Sequence, residues 1–254
     1  MLKQALLAGA LVTGAARAAP GSQPEGSATR QPTTQTARQP EPLQPFSAHY
    51  SAEWKSLTVG TSDLDLKGGT SPGTYVYTWR ITARGIFRLI YSSDVVQKSW
   101  FSLHEGHVRP EKYHAEQGAS TVDIDFDWER GQATGTSEGR PVKLELVPGL
   151  EDVMSIQIEV MLALARGDLP PTFRIVDKDE IKQFDYEMQG PARIRTALGE
   201  LDTVVVASHR PGNNRVLKMW FAPSMNYLPV QAERARDGRL EFAMRIRPAA
   251  VLQR

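Results

Sequence analysis

No cysteine occurs anywhere in the 254 residues. That removes disulfides, thiolate metal sites and thiol nucleophiles together. Small domains in oxidising compartments often need disulfide staples, yet roughly 200 residues can bury enough surface without them. A charge of one sign is missing too. With 30 Lys and Arg against 29 Asp and Glu the formal net charge is +1, which argues against a dedicated nucleic-acid binder. Long apolar runs are also absent, the one at the start, Ala5 to Ala16, being too short to span a bilayer. The sequence holds no Gly-x-Ser-x-Gly, no Ser-x-x-Lys with its partner motifs, and no phosphate-cradling or dinucleotide glycine loop.

What is there begins with an address label. Met1-Leu2-Lys3 gives a short positive start, the apolar stretch follows, and Ala16-Arg17-Ala18 has the small-x-small pattern of a signal-peptidase site. Residues 1–18 therefore read as a signal peptide, with no cysteine to carry a lipid anchor afterwards. An exported, soluble mature chain without an integral membrane span follows, and a bacterial periplasm is the simplest compartment. Residues 19–45 are rich in Pro, Gln, Thr, Ser and Gly. Such a segment cannot offset its ordering entropy by burial and reads as a disordered tether. The rest, residues 46–248, reads as one domain, with 249–254 as a tail.

The domain is organised around Gly149 to Arg166. On a helical wheel Leu150, Val153, Met154, Ile156, Ile158, Val160, Met161, Leu162 and Leu164 span an arc of roughly 240°. Asp152, Ser155, Glu159 and Arg166 crowd into the remainder. A helix apolar over so much of its circumference must be covered, and the other segments offer only strands. Phe46 to Lys55, Tyr75 to Thr82, Val122 to Trp128 and Leu240 to Arg247 alternate apolar and polar residues with period two. Short Gly-, Asn- and Pro-containing turns separate them. About a dozen strands and one strong helix, with a short helical turn at Ile86 to Tyr91, predict a mainly β fold. The expected form is a strongly curved antiparallel sheet, or incomplete β-barrel, wrapped around one buried α-helix near 150–166. A flat sheet would leave much of the helix wet, at about 25 cal/mol for each Å² exposed.

Three stretches together resemble a bacterial exported family, the domain of unknown function DUF3108. They are the aromatic strand His49 to Trp54 running to a turn at Val59-Gly60, the Asp152-x-x-Ser155 start of the helix, and a C-terminal set. That set comprises Thr196-Ala197-Leu198-Gly199, Trp220-Phe221-Ala222-Pro223 and Tyr227-Leu228-Pro229-Val230. The resemblance covers about Phe46 to Arg247. It implies an exported β-rich fold and transfers no catalytic residue. These positions have structural readings as well. Asp152 is placed to cap the helix by accepting the Ser155 N–H, so that alanine there costs about 1 kcal/mol. Gly199 fits a tight turn, and Pro223 and Pro229 bracket a connection between strands.

Candidate chemistry is sparse. His104-Glu105-Gly106-His107, with Glu111 and His114, has ligand types suited to zinc, but its two-residue gap brackets a glycine turn where a helical i, i+4 pair is wanted. A polar hairpin is the expectation. Asp123, Asp125 and Asp127 lie roughly 7 Å apart along one strand face, a solvated surface, not a calcium loop. No metal, no cofactor and no catalytic residue are assigned. The expected ligand-facing wall comprises Tyr75, Tyr77 and Trp79 from one strand face with Met154, Gln157 and Met161 from the helix. Gln157 projects into the apolar arc, where an unpaired amide costs about 1–3 kcal/mol. It is either bonded to a strand carbonyl or buried water, or forms the polar point of a ligand cavity.

Taken together, the sequence points to a non-enzymatic exported protein that binds an apolar or amphipathic envelope component, such as a lipid or lipid-linked glycan. The alternatives are an envelope-assembly or structural factor acting through a protein or peptidoglycan, and an envelope hydrolase built on a distant Ser or His.

Overall fold

A computed structural model describes residues 43–90 and 92–248. The leader, the tether before residue 43, Tyr91 and the tail from 249 lie outside the described residues. The first half of the chain is a run of hairpins: β1 (Phe46–Trp54), β2 (Leu57–Gly68), β3 (Thr74–Ala83), β4 (Val95–His104), β5 (His107–Gln117), β6 (Ser120–Asp127), β7 (Gln132–Ser137) and β8 (Arg140–Glu145). A single helical turn, α1 (Phe87–Ile90), lies between β3 and β4. The second half opens with β9 (Leu150–Asp152) and α2 (Ser155–Arg166). It continues through β10 (Thr172–Asp177), β11 (Glu180–Thr196), β12 (Gly199–His209), β13 (Arg215–Ala222), β14 (Leu228–Arg236) and β15 (Arg239–Arg247).

All fifteen strands form one sheet, ordered β8-β7-β6-β5-β4-β3-β2-β1-β15-β14-β13-β12-β11-β10-β9. Each half of the chain is thus a wing, and the wings join in mid-sheet where β1 pairs antiparallel with β15, His49 opposite Arg247 and Trp54 opposite Phe242. Every pairing is antiparallel except β9 with β10. The sheet is not closed, since β8 and β9 are its two ends. It is bent far enough to bring those ends together. Four residues, 146–149, connect β8 to β9, and the β7–β8 turn meets the β10–β11 turn through Lys178–Glu138 at 2.8 Å and Arg140–Asp179 at 3.2 Å.

The helix differs from expectation at its start. Leu150–Asp152, the first turn of the helical wheel, is a three-residue strand lying parallel to β10 with Leu150 opposite Arg174. α2 begins at Ser155 and ends at Gly167, whose φ of 79° and N–H bonds to the Ala163 and Leu164 carbonyls close the last turn. Its neighbours are β4, β5 and β9. Eight of its 12 residues are buried, and they include Ser155 and Glu159. Within the polar strip Ser155 and Glu159 are therefore packed, while Arg166 is exposed.

One apolar core runs through both wings and α2. Tyr50, Tyr113, Ile124, Ile158, Val160, Phe221 and Val230 are each at 2% exposure or less. Val205 and Val206 are both buried although they point to opposite faces of β12. The Val59-Gly60 pair is not a turn. Gly60 lies inside β2 opposite Ala83 and Ala52, where an added Cβ would stand 2.1 Å from the Thr82 carbonyl oxygen. Gly199 opens β12 after the Ala197–Leu198 turn with φ at 108°. Pro223 starts a 3-10 turn (Pro223–Met225), while Pro229 lies within β14, its carbonyl accepting the Tyr50 hydroxyl at 2.7 Å.

Candidate functional site

The structure brings together part of the expected wall. Tyr77, fully buried on β3, meets α2 where the Gln157 amide donates to its hydroxyl. The partner of the Gln157 NH2 group is thus a strand side chain in place of a strand carbonyl. Phe46 sets its edge on the Tyr77 ring at 6.0 Å, and Tyr75 stacks on Phe101 at 5.5 Å. Met154 and Met161, one turn to either side of Gln157, are buried. Trp79 shares the β3 face and packs against both the main core and a second cluster. Its indole N–H donates to Ser62 at 2.6 Å, and its ring borders a small separate cluster of Ala52, Ile81 and Val95. Burial pushes the Tyr77 hydroxyl well above its ordinary pKa, against the Gln157 hydrogen bond that lowers it.

A polar cluster that the sequence did not reveal lies at the start of α2. The Asp152 carboxylate accepts the Met154 and Ser155 N–H groups at 2.7 and 2.8 Å. In return the Ser155 hydroxyl accepts the Asp152 N–H at 2.9 Å. This is the reciprocal arrangement of a capping box, made from two residues ahead of the Met154 cap position. Asp152 does more than cap, because its second oxygen accepts the Ser99 hydroxyl of β4 at 2.5 Å. The Ser155 hydroxyl donates to Glu151 at 2.5 Å. Gln97 and Tyr113 lie alongside, the Tyr113 hydroxyl donating to the Gln97 carbonyl oxygen at 3.3 Å. Burial pushes Asp152 up to about 6, against its hydrogen bonds from Ser99 and the two backbone N–H groups. Burial likewise raises Glu151 well above the carboxylate range; the Ser155 hydrogen bond opposes this, and Glu159 and Asp152 add to it.

Glu159, one turn further along α2, ties the helix to the β4–β5 hairpin. It accepts the Val108 N–H at 2.8 Å and contacts His107 Nδ1 and Arg166 Nη2, each at 2.9 Å. Arg166 also donates to the Gly106 carbonyl at 2.7 Å. The His104-Glu105-Gly106-His107 segment is therefore the hairpin turn that docks α2 on β5. Among the described residues no group of three or more His, Asp or Glu side chains is gathered to hold a metal ion. His114 pairs with Asp123 at 2.7 Å, Lys112 with Asp125 at 3.2 Å and Arg130 with Asp127 at 3.2 Å, all on the outer face of the sheet. No helix among the described residues is long and apolar enough to cross a membrane.

Chemically, Ser155 with Glu151 has the form of a hydroxyl beside a base, but Ser155 and Asp152 are at 0% exposure and Glu151 at 1%. All three are closed off from solvent in this structure. The cluster holds the short strand β9, the first turn of α2 and β4 in register. Neither Ser99 nor Gln97 could be tied to Asp152 from sequence, since more than 50 residues separate them and their only local signal is an inward position on an alternating strand.

A single open sheet, bent around to bring its ends together and carrying one buried helix on an enclosed carboxylate cluster, defines the class of fold. The chain belongs to the family described as "Protein of unknown function (DUF3108)", which it matches over residues 49–242. Among crystal structures it is similar to a "putative exported protein with YmcC-like fold" from Bacteroides fragilis, at 7% identity over 79% of this chain and 92% of that one, with a TM-score of 0.31. A "putative lipoprotein" from Parabacteroides distasonis is similar at 9% identity over 81% and 94% of the two chains, with a TM-score of 0.30. A comparison with curated proteins finds no match.

Proposed function

We propose that the chain is exported to the bacterial periplasm and acts there without catalysis, binding an apolar or amphipathic envelope component. The observation that carries this reading is the enclosure of Ser155, Asp152 and Glu151 behind the sheet, which turns the one serine–carboxylate arrangement at the helix into a structural fastening. The leader pattern of residues 1–18 supports export. The apolar core shared by both wings and α2 supports an apolar ligand. In this reading Tyr77 and Gln157 give that interior one polar point between Met154 and Met161, and adaptable methionine walls suit a variable acyl chain. A lipid or lipid-linked glycan is the expected partner.

The test is lipid extraction and mass spectrometry of protein purified from cells, then titration of the delipidated protein with a fluorescent fatty acid. Co-purified lipid and saturable binding weakened by Tyr77→Phe are expected. Protein that never carries lipid and binds no fatty acid overturns the reading. A second reading, an envelope-assembly factor acting through a protein or peptidoglycan partner, is favoured by the packing of Tyr75 on Phe101 and Phe46 on Tyr77, which fills the interior with the chain's own rings. Crosslinking in the periplasm that recovers one reproducible partner would select it.

A further inference from the structure

We propose that one rim of the sheet, carrying the β1–β2, β3–β4, β12–β13 and β14–β15 turns, docks on the surface of an anionic lipid bilayer. Six large apolar side chains stand out as exposed among the described residues, and four of them, Leu57 (62%), Ile86 (70%), Leu89 (85%) and Ile90 (64%), are on this rim. They are neighbours by register. Gly60 pairs with Ala83, and the Arg84 N–H donates to the Val59 carbonyl at 2.9 Å, so Leu57 and Ile86 each stand three residues beyond the same rung. Among the described residues nothing covers them.

The same turns hold Lys55, Arg84, Arg88 and Arg210 against Asp94 and Asp237, and Arg236 and Arg239 at the facing ends of β14 and β15 raise the excess to four positive charges, in a chain whose total is +1. Asp94 is already occupied, accepting Arg88 at 2.6 Å and Arg80 at 3.2 Å. Exposed aliphatic side chains at a tip, with arginines set behind them, match the acyl boundary and the anionic headgroups of a membrane surface. The opposite rim, where β1 begins and β15 ends, has one such apolar side chain, Leu198. A protein partner explains the aliphatic tip but not the charge around it, and the bilayer explains both.

The inference uses the proposed function only to place the chain beside an envelope membrane, and it does not require an interior ligand. The absence of cysteine makes the test direct. In the full chain, Leu89→Cys and, on the opposite rim, Thr70→Cys are labelled with an environment-sensitive fluorophore and mixed with vesicles containing phosphatidylglycerol or phosphatidylcholine alone. The label at 89 should shift to the blue and brighten several-fold on phosphatidylglycerol, less on phosphatidylcholine and less at high salt, while the label at 70 stays unchanged. Because both variants carry the same leader, equal responses would assign binding to the leader and overturn the proposal, as would no response. In flotation, Leu89→Asp with Ile90→Asp should lower the vesicle-bound fraction about tenfold, and unchanged flotation overturns it. A dimer in solution that shields the label at 89 from iodide would make a second copy the occupant, again against the proposal. Fatty-acid binding without vesicle binding would leave the interior reading standing and remove this one.

Discussion

Asp152 is where the energetics of this fold can be read most directly. Its carboxylate is fully buried, accepts three donors, and is pushed up to about 6 from an ordinary value of 3.8. The folded state therefore holds the proton more tightly than the unfolded chain does. Its contribution is greatest below about pH 4 and is lost as the pH rises through about 6, an effect on the order of 3 kcal/mol. Asp152→Asn removes the titration while its side-chain oxygen can still accept the Met154 and Ser155 N–H groups. The Ser99 hydroxyl must then turn to accept from the new amide. Asp152→Ala removes the acceptor for all three donors. With each unpaired buried group costing about 1–3 kcal/mol, the loss should be well above the 1 kcal/mol of an ordinary cap. Urea unfolding followed by fluorescence of the five tryptophans, at intervals from pH 4 to 8, measures this. The difference between the asparagine variant and wild type cancels titrations the two share. It should move in favour of asparagine as the pH rises from 4 to 7.5. A flat difference, or an asparagine variant as damaged as the alanine one at pH 7.5, would refute the reasoning.

Other expectations follow from single contacts. Tyr77→Phe leaves the half-buried Gln157 amide without its partner and should cost about 1 kcal/mol by denaturant titration, an effect that largely disappears when Gln157 is also replaced by Leu. Gly60→Ala forces a Cβ toward the Thr82 backbone oxygen and should cost about 1–3 kcal/mol, while Gly68→Ala, with open space around it, should change little. Neutralising the turn-to-turn ion pairs with Glu138→Gln and Asp179→Asn should lower stability by less than about 1 kcal/mol per pair, and the difference should vanish in 1 M salt.

Much of the β-structure is legible in the sequence because strand periodicity is a local signal. Phe46 to Trp54 and Val122 to Trp128 declare their inner faces without reference to any partner. The start of α2 is misleading for a specific reason. Leu150, Glu151 and Asp152 fit the helical wheel, and a three-residue strand is too short to show a period of its own. The polar strip does not announce its burial: Ser155 bonds to its near neighbours Asp152 and Glu151, but what encloses them, Ser99 on β4, and the Glu159 partners Val108 and His107, lie about 50 residues away. Nor does Trp79 declare that it packs against a second cluster as well as the main core, since residues of one parity share a face whichever clusters they finally join. The charged rim was invisible for the same reason: its arginines are spread over turns that meet only once the sheet order is set.

The mid-sheet join of β1 with β15 sets a timetable for folding. Nearly every other rung links strands adjacent along the chain, so each wing can zip hairpin by hairpin, whereas this seam waits for a strand almost 200 residues later. Until Arg239–Arg247 is available, the opening strand presents a bare edge in the middle of what will become the sheet. A chain shortened before residue 239 should keep its hairpins and yet associate through that edge, and pulse-labelled amide exchange should show the β1–β15 rungs gaining protection last.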